Sequence, residues 1–448
     1  MSVDRDSVPA AEFSSRRNVL AAAAANGIGF AGFTLVMPFL PLYIRELGVT
    51  DVADIALWTG LTLGATPAVT AISAPLWGRV GDRYGSKVLV IRSLGAFVVT
   101  KFAMGLVTAP WQLFALRALL GVFAGYGALT VSMAAESVPR ERMASAIGTV
   151  QVAQRLGPAI GPIVGGILAP LVGLRRTFFI AAAFYLVSVL LIAAVYREPR
   201  TRHERTATRS LREVFRELAT TPGFWMVFVV ILGLQLVDRS FGPILPLYVE
   251  RLVPPGQVAF VSGALFSIAA IFAALGHRVA APLLQRWSPR GLIACSALAT
   301  AAGLMLLVQL PSIAAFAVAL AIAGVAIGVG MTAAYTSGGA LLPPDAHATG
   351  FGLMMTASLI GLAASPILAG VISGPELRVV FEADIVLLVL LAGAVWAWMG
   401  RTGARGSGLG TRGWGLGAWA CPCLTVKTAS LCSVTLARPS PEPRAPSP

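Results

Sequence analysis

The chain contains 448 residues, of which 56% are hydrophobic and only 12% are charged, with a mean hydropathy of +0.79. This composition argues against a soluble enzyme, a nucleic-acid-binding domain and a disordered scaffold, because each needs far more polar surface. The net charge of +14 lies mainly in short segments between long apolar runs, so it reports membrane topology rather than affinity for nucleic acid. The sequence therefore predicts an all-α polytopic membrane protein.

Twelve apolar runs, each long enough to cross a bilayer, follow one another along the chain. A hydrocarbon core about 30 Å thick requires about 20 apolar residues of helix. The first run is too long for a cleaved signal peptide, so we expect a retained first helix after a cytoplasmic segment, residues 1–18. In chain order the predicted spans are 19–43, 55–77, 88–107, 111–133, 145–171, 177–196, 223–249, 258–280, 291–310, 312–340, 347–373 and 379–400.

The longest polar interruption, residues 197–222, separates an N-terminal six-helix bundle, residues 19–196, from a C-terminal one, residues 223–400. Arg residues concentrate in this linker and in the other loops on the same side of the membrane. The bias predicts a multi-pass protein of the cell inner (plasma) membrane with both termini in the cytoplasm. Within the linker, Ser210 and Glu213 form a capping box before an apolar periodic run, which predicts a short amphipathic helix on the membrane; a plain solvated linker is the alternative.

An internal repeat relates the two predicted bundles. The segment 38–43, Pro-Phe-Leu-Pro-Leu-Tyr, recurs 205 residues later as Pro-Ile-Leu-Pro-Leu-Tyr at 243–248. Glycine and proline landmarks of the fifth span recur in the eleventh, 204 residues later. Chance apolar similarity would not keep one register over separate landmarks. The chain is therefore predicted to contain two homologous halves in parallel orientation, as in secondary transporters that rock around a midplane site.

A glycine-rich and charged motif, Gly-Arg-Val-Gly-Asp-Arg-Tyr-Gly-Ser-Lys at 78–87, lies in the predicted loop between spans two and three. Its glycines permit a tight turn, and its acid can pair with an Arg in one conformation only, which suggests a conformational latch. The segment resembles the signature loop of the major facilitator superfamily, with Ser86 in place of the usual basic residue. The copy in the second half has Gln285 and lacks the carboxylate. The predicted latch residues are Gly78, Asp82, Arg83, Gly85 and Lys87.

Two further motifs carry the same resemblance over residues 19–400. Leu113, Arg117 and Gly121 in the fourth span are similar to a second signature of the superfamily. The fifth span resembles the antiporter motif of its twelve-helix drug:proton antiporter branch, which implies a bend that belongs to exporters. Glycines four residues apart also allow close helix packing, which is the alternative interpretation. The residues of this motif are Gly157, Gly161, Pro162, Gly165 and Gly166.

Ionisable residues inside predicted spans are costly and are therefore functional candidates. Arg117, Arg155 and Lys101 have apolar residues at the equivalent places of the second half, so the architecture itself does not require them. We expect Arg117 to act in coupling or in cavity electrostatics, with a structural partner as the alternative. Arg155 and Lys101 fit either coupling or helix packing.

Asp238 is the only acidic residue near the middle of a predicted span. Desolvation there favours the protonated carboxyl, whereas a nearby cation favours the carboxylate, so Asp238 is the predicted proton-coupling site together with Arg117. A static ion pair with Arg117 or Arg155 is the alternative. Glu382 and Asp384 lie nearer the outer end of the last span and are expected to face water.

The resemblance implies a central cavity between spans one, four, seven and ten. The acid that some exporters carry in their first helix is absent, which gives no support to cationic substrates at that place. Each of the predicted lining residues is individually as consistent with core packing as with ligand contact. They are Asn26, Phe30, Phe33, Phe123, Tyr126, Gln235 and Tyr335.

From Arg401 the sequence changes to Gly, Arg, Trp and Cys and then to Pro-Ser repeats, which cannot form a core. Residues 401–448 are predicted to be a disordered cytoplasmic tail or a frameshifted reading of a GC-rich gene. The four cysteines, one in a span and three in this tail, give no disulfide framework or metal-site spacing. Because no phosphate-cradling loop is present, we predict no cofactor and an ion gradient, most plausibly protons, as the energy source.

These observations predict a transporter rather than an enzyme: a proton-coupled exporter of small amphipathic or hydrophobic compounds, working by alternating access. Its predicted partners are a small-molecule substrate, protons and the lipid bilayer, with no nucleic acid, and we expect a monomer. One alternative is a specific metabolite carrier, for efflux or uptake. Another is a transporter-fold receptor that moves no substrate.

Overall fold

The computed structural model describes residues 8–84, 86–139, 142–197, 222–310, 312–342, 347–374 and 376–405. The predicted linker helix and most of the C-terminal tail lie outside these residues. The described part is almost entirely helical and belongs to one compact unit that ends at Arg405. Its helices are α1 Val8–Thr34, α2 Leu40–Glu46, α3 Val52–Tyr84, α4 Ser86–Met104, α5 Pro110–Val122, α6 Tyr126–Glu136, α7 Met143–Val172, α8 Leu174–Val195, α9 Pro222–Val249, α10 Val258–Arg286, α11 Pro289–Gln309, α12 Ile313–Ala340, α13 His347–Ser373 and α14 Arg378–Arg405.

These helices form twelve passes, as the apolar runs predict. Helices α1 and α2, joined by a short 3-10 turn, form the first pass, and α5 and α6 form the fourth. Eleven helical segments of the described chain are long and apolar enough to cross a membrane. Helix α4 is not one of them, since Lys87, Arg92 and Lys101 lie within its 19 residues. The predicted all-α polytopic fold is confirmed.

The two broken passes differ from the continuous spans expected from the sequence. In the first pass, Pro38 and Pro41 lack the N–H groups that would extend the helix across the break. The equivalent prolines of α9, Pro243 and Pro246, lie within one continuous helix, so the prolines alone do not fix the outcome. The fourth pass breaks at Gly125, whose φ of +123° is incompatible with an α-helix.

The connection between the second and third passes is also shorter than expected. Helix α3 continues to Tyr84 and α4 begins at Ser86, so most of the predicted loop motif is helical. The prediction of a loop over this motif was wrong. Glycines in the motif lower helix propensity, but they did not end the helix; only Gly85, outside the described residues, separates α3 from α4.

Equivalent helices of the two halves make equivalent contacts. Helix α1 packs on α7 and α4 on α8; in the second half α9 packs on α13 and α11 on α14. Contacts between the halves are made chiefly by α3 with α13 and by α7 with α10. The two helix pairs determine which end of the molecule is closed.

Candidate transport site and its gates

Glycines of α7 form the closest helix contact in the first half. A Cβ on Gly157 would lie 2.6 Å from Cβ of Phe30, and one on Gly161 would lie 2.5 Å from the backbone oxygen of Ala31. A Cβ on Gly165 would overlap the backbone oxygen of Leu35. Three glycines of the predicted antiporter motif therefore face α1 along its whole contact, as their spacing predicts.

The remaining two residues of this motif face the other half of the molecule. A Cβ on Gly166 would lie 2.5 Å from the backbone oxygen of Ala259 on α10. In the same way, a Cβ on Gly263 of α10 would overlap the backbone oxygen of Pro162. Since α7 ends and α10 begins at this level, the contact lies at one end of both helices. The motif thus joins α1 to α7 within one half and α7 to α10 between the halves.

The second pair of helices closes the same end. A Cβ on Gly60 of α3 would overlap the backbone oxygen of Pro366 on α13, and one on Gly370 would lie 2.6 Å from that of Ala56. Both contacts involve the first part of α3 and the last part of α13. We call this end, where α3 and α10 begin and α7 and α13 finish, the closed end.

An ion pair joins the two halves across the closed end. The guanidinium of Arg45, at the end of α2, donates two hydrogen bonds to the carboxylate of Glu250, just after α9. The two residues are 205 positions apart and thus occupy the same place in the repeat. At the opposite end, a Cβ on Gly148 of α7 or on Gly352 of α13 would meet nothing within 4 Å. Neither glycine makes the close helix contact seen at the closed end, and we call the end where they lie the open end.

Charged and polar side chains from both halves interact between the closed and open ends. Arg155 of α7, which is exposed, interacts electrostatically with Asp238 and Arg239 of α9 and with Tyr335 of α12. Asp238 also forms an ion pair with its neighbour Arg239, with Oδ2 and Nε 2.9 Å apart. Asp238, the proton-coupling candidate, therefore interacts with cations on α7 and α9 and is not an isolated charge within its helix.

His277 of α10 joins this charged group and was missed from the sequence. Its Nδ1 lies 2.9 Å from Oγ1 of Thr332, and its ring interacts electrostatically with Arg155 and Asp238. The sequence placed His277 near the end of the span 258–280, but α10 continues to Arg286, so His277 lies well within the helix. The run of apolar residues ends before the helix does, which is why hydropathy misplaced the boundary.

A hydrogen-bonded group in the second half contains two of the predicted cavity residues. The hydroxyl of Ser358 donates to Oε1 of Gln235 at 3.2 Å, and Tyr335 hydrogen-bonds to the same serine. Gln235 is buried, whereas Tyr335 is half-buried. The structure thus brings these two predicted residues together on α9 and α12, close to the charged group.

Arg117 and Lys101 form a separate group buried within the first half. Their exposed fractions are 1% and 0%, and Nε of Arg117 and Nζ of Lys101 have no hydrogen-bond partner among the described residues. Both cations lie over the ring of Phe33, with charged atoms 5.7 Å and 5.6 Å from its centroid. The structure gives Arg117 no contact with Asp238, the residue with which it was grouped from the sequence.

The other predicted cavity residues fall into two places. Phe30 and Tyr126 contact each other, with ring centroids 5.5 Å apart, and Asn26 is fully buried with both amide atoms lacking partners in the described chain. Phe123 instead stacks on Trp77, over whose ring Arg92 lies at 3.3 Å. The structure does not group Phe123 with the other predicted cavity residues.

Of the predicted latch, the structure describes the side chain of Lys87 alone; those of Gly78, Asp82 and Arg83, and all of Gly85, lie outside the described residues. The ammonium of Lys87 donates to the backbone oxygens of Ala193 and Tyr196 at 3.2 and 2.7 Å. Both oxygens belong to the C-terminal end of α8, where a cation is favourable. In this conformation Lys87 therefore holds α4 to α8 within one half.

The acidic residues at span ends behave differently from one another. Glu382 is exposed and lies near Arg378, as a water-facing residue should. Asp384 is only 7% exposed and accepts a hydrogen bond from Ser240 at 2.6 Å, so its predicted water-facing position was wrong. Two residues along a helix rotate a side chain by about 200°, which turns one acid outward and the other toward α9.

No cluster of three or more metal-ligating side chains occurs in the described parts of the chain.

Comparison with known sequences identifies a family and several relatives. The Major Facilitator Superfamily sequence profile matches residues 22–290 and 240–413. The multidrug resistance protein MdtG of Proteus mirabilis is 37% identical over 258 residues, which cover 56% of this chain and 64% of that protein. MdtG of Klebsiella pneumoniae is 36% identical over 261 residues, 58% of this chain and 62% of its own. The chain thus spans slightly less than two thirds of either relative.

Solved structures share the fold. A bacterial homolog of the human lysosomal transporter Spinster, in an inward-facing and unoccupied conformation, has a TM-score of 0.70 at 19% identity, covering 86% of this chain and 98% of that one. The nucleoside transporter NupG has a TM-score of 0.64 at 18% identity, covering 85% and 99%. Given the profile matches over both halves, the twelve passes and this shared architecture, the chain belongs to the Major Facilitator Superfamily.

Proposed function

We propose that this protein is a proton-coupled exporter of small amphipathic or hydrophobic compounds, a multidrug-type efflux transporter of the inner membrane. The observation that carries the proposal is the charged group of Arg155, Asp238 and His277. These residues come from both halves and interact across the space between them. When the halves move apart, the carboxylate of Asp238 loses the nearby cation of Arg155 and can bind a proton from one side of the membrane. When they approach again, the cation favours the carboxylate and the proton is released to the other side.

The position of this group relative to the two ends supports alternating access. Arg155 lies about two helical turns from the closed-end contact of Pro162, toward the open end. His277 similarly lies on the open-end side of the closed-end contact of Gly263. The positive-inside bias favours both termini in the cytoplasm, so the open end faces the cytoplasm in this proposal, and a substrate would enter from there.

Similarity to MdtG supports export and a broad substrate range. Those relatives are named multidrug resistance proteins, and the matched stretch is over 35% identical in both cited cases. The aromatic pair of Phe30 and Tyr126 offers the apolar surface that such substrates need. We assign proton coupling to Asp238 with Arg155, retain Arg117 as a residue that tunes the first half electrostatically, and expect the protein to work as a monomer.

The test uses everted membrane vesicles whose interior is acidified by respiration. A panel of lipophilic drugs is added and the pH gradient is followed with a pH-sensitive dye for the wild type, Asp238→Asn and the matched control Glu382→Gln. We expect drug-dependent proton release from the wild type and the control but not from Asp238→Asn.

Other outcomes separate the alternatives. If no variant responds to any compound, multidrug export is wrong, and a narrow metabolite carrier or a receptor takes its place. If Asp238→Asn responds as strongly as the wild type, export stands and the proton site lies elsewhere. Vesicles without the protein give the background response.

A further inference from the structure

The interior of the first half contains two basic side chains and no acidic one among the described residues. Arg117 of α5 and Lys101 of α4 are 1% and 0% exposed. Their electrostatic interactions are with each other and, for Arg117, with the hydroxyl of Tyr185 on α8. Nε and Nη2 of Arg117 and Nζ of Lys101 have no hydrogen-bond partner in the described chain. When both groups are charged, they repel each other where little water screens them.

The acids of the first half whose side chains the structure describes lie at the ends of helices. Three of them, Glu46, Asp51 and Asp54, are exposed between the end of α2 and the start of α3. The fourth, Glu136, is the last residue of α6 and accepts a hydrogen bond from Ser132 at 2.7 Å. None of these carboxylates interacts with the buried basic pair. The pair therefore has no counter-ion within the described chain.

At least one positive charge in this group is permanent. A guanidinium keeps its proton in proteins, so Arg117 remains a cation even though it is buried. The ring of Phe33, whose centroid lies 5.7 Å from Arg117 and 5.6 Å from Lys101, attracts both groups. A ring replaces only a small part of the hydration that a buried ion loses, and buried charges are normally paired. The arrangement therefore lacks an anion.

The internal repeat shows that packing does not require these groups. The places 204 residues after the two basic side chains and Tyr185 are occupied by the apolar residues Met305, Ala321 and Val389. The six-helix architecture of the second half therefore forms with apolar side chains at all three places. Packing alone does not explain why the first half buries a pair of basic groups beside a tyrosine hydroxyl.

We propose that Arg117 and Lys101 bind a small inorganic anion, chloride or another halide, with the hydroxyl of Tyr185 as a third donor. A halide ion accepts hydrogen bonds from several N–H and O–H groups at once, and it is small enough to lie between side chains that are closed to solvent. The bound anion replaces the repulsion between α4 and α5 by attraction of both helices to one ion, and so stabilises the first half. This role is independent of export and of the substrate that the protein moves.

Thermal melting of the full chain in lipid nanodiscs tests the proposal, with tryptophan fluorescence recorded in sodium gluconate and in sodium chloride of equal ionic strength. We expect chloride to raise the wild-type melting temperature saturably, by about 3 to 5 °C at a hundred times its dissociation constant. Lys101→Met should lose this rise and, without chloride, should melt above the wild type, because the unpartnered amine is gone. Arg176→Gln, which removes an exposed cation near the start of α8, should keep the wild-type rise.

Equilibrium dialysis with radioactive chloride counts the bound ions directly. We expect the wild type to bind one chloride per chain more than Lys101→Met does. Tyr185→Phe, which removes only a hydroxyl, should weaken chloride binding about fivefold, as for loss of one hydrogen bond. A cooperative melting curve shows that each variant is folded.

Three results would overturn the proposal. They are a wild type that binds no chloride, a chloride-dependent rise in melting temperature that is equal in Lys101→Met and the wild type, and equal chloride binding by these two proteins. Neither measurement involves a drug or a pH gradient. Failure here therefore leaves the proposed export standing, and loss of drug-dependent proton release in vesicles leaves the anion site standing.

Discussion

The ion pair between Arg45 and Glu250 should bias the protein toward closure at the end where it forms. It is the contact between equivalent places of the two repeats, and its geometry is bidentate, with the second hydrogen bond 2.8 Å long. The two side chains are 36% and 27% exposed, so water screens their attraction. We therefore assign the pair about 1 kcal/mol, near the upper range for exposed pairs. Neutralising either residue should raise the ratio of open to closed forms at this end about fivefold.

Distance measurements between two spin labels would report this ratio. Glu46 and Pro254 are both exposed and lie beside the paired residues, so labels attached to cysteines there should separate when the closed end opens. The native cysteines would be replaced by serine. Arg45→Gln or Glu250→Gln should enlarge the population with long distances, and high salt should do the same to the wild type.

Charge exchange provides the control. The double variant Arg45→Glu with Glu250→Arg keeps the pair in reversed order and should restore the wild-type distance distribution, whereas either single reversal should open the end further than neutralisation does. The reasoning is refuted if the neutral variants show the wild-type distribution, or if the double variant behaves as the sum of its two single changes.

Three further predictions follow from packing and burial. Gly161→Ala should lower the melting temperature and transport, since its Cβ would lie 2.5 Å from a backbone oxygen of α1, whereas Gly148→Ala should change neither; equal melting curves would contradict this. Lys101→Met replaces a buried amine that has no partner in the described chain and should stabilise the protein by about 1 to 3 kcal/mol, so a loss of stability by tryptophan fluorescence melting would be evidence against it. Lys87→Ala removes the cation at the C-terminal end of α8 and should cost about 0.3 to 1 kcal/mol, measured in the same way.

The passes themselves follow from local information, because the length of an apolar run directly matches the thickness of a bilayer. The glycine spacing of α7 likewise predicted which face meets a neighbour, since a helix fixes that face by its period. The repeat indicated where symmetry-related contacts should occur. It did not show that Arg45 and Glu250 pair, because pairing of two equivalent places depends on how the halves meet.

Residues whose behaviour depends on tertiary packing were predicted less well. Hydropathy could not show that α10 continues beyond its apolar run, nor that His277 of α10 interacts electrostatically with Arg155 of α7. It also could not distinguish Asp384 from Glu382, which lie two residues apart but on different faces of α14. Arg117 and Asp238 were grouped because both are charges within spans, yet the fold assigns Arg117 to the interior of one half.

The coupling of substrate movement to protons by Asp238 is tested most directly in proteoliposomes that contain purified protein. Accumulation of a lipophilic drug driven by an imposed pH gradient is compared with drug-for-drug counterflow in the absence of a gradient, for the wild type and Asp238→Asn. Proton-coupled alternating access predicts that Asp238→Asn loses accumulation and retains counterflow, because the halves still move but no longer exchange a proton. Gradient-driven accumulation by Asp238→Asn equal to that of the wild type would contradict the account.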